Sequence, residues 1–121
     1  MFSNAWLPQL FKAQGADVLN GLQIVPDPEF CRALDPDGEY EEVWNRYAFM
    51  VLEEAKPGSK PEFRTLNPSA YVLKIAPENP ILRARGARFA VFPRPPQGVE
   101  VARMIQLAAF PAQKIWIYRL P

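Results

Sequence analysis

Four arginines, Arg83, Arg85, Arg88 and Arg94, fall within twelve residues and are the densest local chemistry in this sequence. Three of them, Arg83, Arg85 and Arg88, are spaced closely enough to grip a phosphate with paired N–H donors. Such a cluster suits lipid phosphates or anionic headgroups. The competing explanation is a solvated helix face with ordinary surface ion pairs. Carboxylates come next. Glu53-Glu54, Glu41-Glu42 and Asp35/Asp37 are the pairs that could serve as acid and base in glycoside hydrolysis. Adjacent strand residues point to opposite faces, however, so Glu53 and Glu54 would not meet if they lie in a strand. Asp35 and Asp37 already have an explanation as helix-start residues, and no enzyme follows from carboxylates alone.

Nucleophilic and metal chemistry have less support. The 121 residues include no histidine, which removes the usual general base near neutral pH and the commonest metal ligand. The single cysteine, Cys31, has no histidine to activate it and no second cysteine to pair with. It reads as a buried small hydrophobe. Ser59 and Ser69 lie in loops without a base. No Gly-x-Gly-x-x-Gly or Gly-x-x-x-x-Gly-Lys occurs, so dinucleotide and phosphate-loop chemistry is unsupported. No metal, cofactor or catalytic residue is therefore assigned. Trp6, Trp44, Trp116 and the tyrosines have faces that suit sugar rings, but Trp44 and Trp116 read as core and Trp6 alone as a docking residue. A net charge of +1 and the lack of an RNA-binding aromatic motif argue against nucleic acid as partner.

The elements that must position these groups are marked by capping signals. Asp27-Pro28, Asp35-Pro36 and Asn79-Pro80 each place a capping residue before proline, as at a helix start. They predict helices at 28–33, 36–45 and 80–85, with another at 5–14 closed by Gly15. In the 36–45 helix, Tyr40, Val43, Trp44 and Tyr47 form one apolar stripe, and Asn45 is the left-handed stop. Gly86 suits the same role after 80–85. Strands are expected at Tyr47–Leu52, Tyr71–Ile75, Phe89–Phe92 and Lys114–Leu120. Asn20-Gly21 suggests a tight hairpin over Val18–Val25. Ala55–Pro61 and Pro93–Gly98 are loops by composition. Glu100–Phe110 reads as helix or strand. Pro111-Ala-Gln113 favours the strand, as half of a C-terminal β-hairpin.

With 49% hydrophobic and 22% charged residues, the chain can hold a core as a single domain over 1–121. No apolar run approaches the roughly 20 residues of a membrane helix. The expected fold is α+β: a mixed sheet of four to five strands, helices on one face, and a small β-α-β unit near 70–92.

Three stretches taken together resemble a known family. They are Asp17-Val-Leu-Asn-Gly-Leu22 with Leu34-Asp-Pro-Asp-Gly-Glu-Tyr40 and Trp44-Asn-Arg-Tyr-Ala48, then Asn79-Pro-Ile-Leu-Arg-Ala-Arg-Gly-Ala-Arg-Phe-Ala-Val-Phe92, and finally Ile115-Trp-Ile-Tyr-Arg-Leu120. In this order they resemble the C-terminal extracytoplasmic region of bacterial multi-pass membrane glycosyltransferases of the GT-C, YfhO-like type. The resemblance implies a soluble domain on the outer, periplasmic face of the membrane, excised from a longer membrane protein. It implies no catalytic residue here, because catalysis in such proteins lies in loops between spans. Asn45, Arg46 and Tyr47 match the family's turn as a helix stop, a surface pairing group and a core aromatic. The partner is then the membrane-embedded part of the same polypeptide, or an anionic lipid or glycan reached by Arg83, Arg85 and Arg88. The alternative is a stand-alone cytoplasmic protein-interaction module.

Overall fold

The structure, a computed structural model, describes residues 1–2, 6–23, 26–96 and 103–121. Its elements are α1 (Trp6–Ala13), β1 (Gly21–Gln23), α2 (Pro28–Leu34), α3 (Glu41–Trp44), β2 (Ala48–Glu54), β3 (Glu62–Asn67), β4 (Ala70–Ile75), α4 (Pro80–Ala84), β5 (Phe89–Phe92), β6 (Ile105–Phe110) and β7 (Ile115–Arg119). The fold is α+β, as expected. A mixed four-stranded sheet runs β1-β2-β4-β3, with β2 and β4 parallel and the outer pairs antiparallel. A second, antiparallel sheet runs β5-β7-β6 and contains the C-terminal hairpin. A single 3₁₀ turn at Pro111–Gln113 joins β6 to β7 and ends with Lys114 at φ 54°.

Strand alternation decides where the core lies. Ala48, Met50 and Leu52 of β2, Phe63 of β3, and Tyr71, Leu73 and Ile75 of β4 all enter one buried cluster. By the two-residue period they occupy one face of the first sheet. Phe30, Cys31 and Leu34 of α2, Trp44 of α3 and Leu82 of α4 pack into the same cluster. So do Ala90, Phe92, Tyr118 and Leu120 from the second sheet and its flank. Helices and second sheet thus share that face. Phe92 centres the far side, stacking on Phe2 at 5.2 Å and meeting Tyr118 edge-on at 5.8 Å.

Two helix starts are built as the sequence predicts. Asp27 accepts from the Phe30 N–H at 3.1 Å, and Asn79 from the Ile81 N–H at 3.0 Å, each ahead of a proline. Gly86 sits at φ 96°, the left-handed stop that follows α4.

Several expectations are corrected. The helix expected at 36–45 shrinks to Glu41–Trp44, because Gly38 adopts φ 68° and breaks it into turns. Asn45 is not left-handed, at φ −83° and ψ 61°. Tyr47 is 62% exposed rather than a core aromatic, since the chain becomes extended just after it and Ala48 takes the inward position. The Val18–Val25 hairpin does not form in the described part of that stretch: Gly21–Gln23 pairs with β2. Asn20 is buried instead, accepting from the Met1 amino group at 2.8 Å and donating to the Met1 carbonyl at 3.0 Å. The strand–helix–strand run near 70–92 is present, but β4 and β5 lie in different sheets. Both sides of β4 are occupied, by β2 and by β3, so β5 has no edge there to join. The parallel connection runs from β2 to β4 through residues 55–69, and β3 lies within it. Of the stretch at 100–110, Ile105–Phe110 is a strand, and 100–102 lie outside the described residues, as do Gln97 and Gly98 of the proline-rich loop.

Candidate functional site

The arginine cluster divides in the folded chain. Arg85 turns away from its neighbours and pairs with Asp27, the cap of α2, through both Nε and a terminal nitrogen. This ties the end of α4 to the start of α2. Arg94 pairs with Glu54 of β2 at 3.2 Å. Arg83 and Arg88 are exposed, with no ion-pair or side-chain hydrogen-bond partner among the described residues. The expected three-arginine grip is therefore reduced to two solvent-facing guanidinium groups, one on α4 and one entering β5.

Several other polar groups singled out in the sequence hold the first half of the fold together. The Asp35 carboxylate, 2% exposed, accepts from the Glu39 N–H at 3.0 Å, the Tyr40 N–H at 2.8 Å and the Trp44 indole at 3.1 Å. Three donors stand in for the water a buried charge loses. Asp35 is thus the hub of the 35–44 turn rather than an acid or base for a substrate. Arg46 donates to the carbonyls of Val43, Asn67, Pro68 and Ala70 at 2.9–3.4 Å. It staples α3 to the β3–β4 turn, a role deeper than surface pairing. Glu53 pairs with Arg64 across the exposed face at 2.7 Å. Among the described residues no group of acidic, His or Cys side chains is arranged to hold a metal.

Cys31 is fully buried, as the sequence suggests. Burial, with the negative charges of Asp27 and Asp35 adding to it, pushes its thiol up to about 12, against the opposing effect of Tyr71. Burial likewise pushes the Tyr71 phenol up, and its hydroxyl has no well-aligned hydrogen-bond partner among the described residues. The pair is a piece of core, held neutral, and not a nucleophile with its base.

A different surface emerges from the second sheet, one the sequence reading missed. Ala90, Phe92 and Tyr118 face the core, so alternation turns Phe89, Arg119 and Ile105 outward. The three are in register across β5, β7 and β6, with Arg119 between two apolar neighbours. Phe89 is 58% exposed and Ile105 52%. Leu107 and Phe110 on β6 are also exposed. At the other end of this sheet, α1 and the 3₁₀ turn flank an open groove of about 650 Å³ lined by Trp6, Leu7, Leu10, Pro93 and Ile115. The charges are sorted accordingly. Residues 1–78 contain twelve acidic and seven basic side chains, and residues 79–121 contain seven basic ones and one acidic, Glu100. That count was available in the sequence, hidden by the near-zero total. Which strand faces pointed outward was not, because it depends on pairing.

The geometry describes an α+β domain of two sheets over one core, acidic in its first part and cationic with exposed apolar groups in its second. The chain belongs to the family described as Domain of unknown function (DUF7654), whose model matches residues 1–121. No curated protein and no solved structure matches it. No described helix is long and apolar enough to cross a membrane.

Proposed function

We propose that this chain is a non-catalytic accessory domain of a bacterial membrane glycosyltransferase, on the extracytoplasmic side, that positions an anionic lipid or lipid-linked sugar. The observation carrying this reading is that Arg83 and Arg88 have no side-chain partner among the described residues, within a segment whose charged side chains are all basic but one. Guanidinium groups left in solvent beside exposed apolar side chains favour a phosphate-bearing partner. The resemblance of 17–22, 34–48, 79–92 and 115–120 to the extracytoplasmic regions of those enzymes supports the membrane setting. Flotation with vesicles containing phosphatidylglycerol tests it. Wild type should rise with these vesicles and a double variant, Arg83→Ala with Arg88→Ala, should rise less. Equal recovery of the two sinks the reading.

A second reading is a stand-alone interaction module that adds a partner's strand to a sheet edge. It is favoured by β6, an uncharged edge strand exposed along most of its length. A stable dimer by light scattering at micromolar concentration would favour it over the first.

A further inference from the structure

Resting on the anionic-surface reading above, we propose that the outward face of the second sheet docks onto a bilayer. Phe89 and Ile105 enter the headgroup region while Arg119, between them, meets lipid phosphates. The row Phe89–Arg119–Ile105 spans three paired strands, so its members are about 5 Å from one neighbour to the next. Two apolar side chains therefore bracket one cation across a width of about 10 Å. This arrangement fits an interface whose upper layer is anionic and whose lower layer is apolar.

Charge complementarity selects the occupant. Arg88 stands at the margin of this sheet, its carbonyl accepting from the Leu120 N–H at 2.9 Å, so it adds positive charge at the rim rather than on the outward face itself. Arg103 lies two residues before Ile105 on the β6 side. None of Arg88, Arg103 and Arg119 has a side-chain partner among the described residues. Neither β5, β6 nor β7 contains an Asp or Glu. The guanidinium groups are spread over β7 and the residues leading into β5 and β6 rather than drawn from one segment, which suits many headgroups better than one bound phosphate. A bilayer also explains why the apolar members are large and exposed, since unpartnered patches of this kind mark interaction surfaces.

The test labels two positions in turn with a polarity-sensitive fluorophore on an introduced thiol. Cys31 is fully buried, so the native thiol is shielded from the reagent. The positions are Ile105→Cys on the docking face and Glu62→Cys on β3, at the far edge of the first sheet. With phosphatidylcholine/phosphatidylglycerol vesicles the probe at 105 should shift to the blue and the probe at 62 should not. Unlabelled Phe89→Gln/Ile105→Thr should bind these vesicles about tenfold more weakly. Arg119→Ala should bind about fivefold more weakly at low salt. Both substituted faces are solvent-exposed, and far-UV circular dichroism confirms that the variants fold. If wild type floats and Arg83→Ala/Arg88→Ala does not, yet the probe at 105 stays in water and both Phe89→Gln/Ile105→Thr and Arg119→Ala bind as wild type, the docking face is wrong and the accessory-domain reading stands. If wild type does not bind the phosphatidylglycerol vesicles, both fall.

Discussion

In the first sheet the inner strand β4 buries every residue but Lys74: Val72, on the face of Arg64, is 2% exposed and Leu73, pointing the other way, 0%. In the second sheet the central strand β7 buries only Tyr118, and its partner β6 has no fully buried residue. The edges differ as well. At the β1 edge, Gln9 of α1 accepts from the Leu22 N–H and Lys12 donates to the Leu22 carbonyl. At the β3 edge lie Glu62 and Arg64, charges that discourage strand addition. At β6 lies Ile-Gln-Leu-Ala-Ala-Phe. Half of the molecule therefore uses its polar groups to finish itself, and half leaves apolar and cationic groups facing out. In a domain this small, stability is concentrated where the burial is, and the other surface is free to be selected for contact.

The sharpest way to break this contrast is to remove equal side chains from the two sheets. Leu73→Ala should lower unfolding free energy by about 3–4 kcal/mol, and Leu107→Ala by less than about 0.5 kcal/mol, by chemical denaturation. Comparable losses would mean the second sheet is as much core as the first. Next, Asp35→Asn should cost about 3 kcal/mol, because one of its donors then faces an amide N–H₂ instead of an oxygen. A near-neutral result would show that the 35–44 turn holds without its hub. Replacing Arg46 by lysine should cost about 2 kcal/mol, since one ammonium cannot reach carbonyls on both α3 and the β3–β4 turn. Tm would report it, and no shift would reduce Arg46 to a surface group.

The smallest effect is alkaline. The Cys31 thiol is raised from 9.0 to about 12 in the fold, so the unfolded chain releases this proton first. The unfolded state binds fewer protons above pH 9, and stability therefore falls between about pH 9 and 12, by up to about 1.4 kcal/mol per pH unit for this one group. Tyr71, also raised, adds in the same direction at still higher pH. Wild type and Cys31→Ala should therefore converge in stability as pH rises from 8 to 10. Parallel curves would show that the thiol titrates normally and is not sealed in the core.

Legibility in the sequence followed locality. Asn79-Pro80 and Gly86 delimited α4, and Asp27-Pro28 opened α2, because caps act within a single turn. Asp35-Pro36 carried the same signal and meant something else. Asp35 ends α2, and its carboxylate reaches forward to residues 39, 40 and 44, a choice settled by burial against Trp44 rather than by neighbours in the chain. β3 went unread because Glu-Phe-Arg-Thr-Leu-Asn buries only Phe63, leaving no alternation for a pattern to catch. Missing it also hid the reason β5 lies in another sheet. The arginine cluster was visible as composition, but Arg85's commitment to Asp27, 58 residues away, is a product of the fold.

The route from β2 to β4 has a consequence for how the chain assembles. β3 and β4 are joined by a turn in which the Ser69 N–H bonds the Asn67 side chain at 2.8 Å, so this hairpin can close on the microsecond scale. β2 can pair with β4 only by bridging residues 55–69, a longer loop with a greater closure entropy. Substitutions in the β3–β4 turn should then slow folding, whereas those at the β2–β4 contact should chiefly speed unfolding. The strand that most escapes notice in the sequence is, on this ordering, among the first to form.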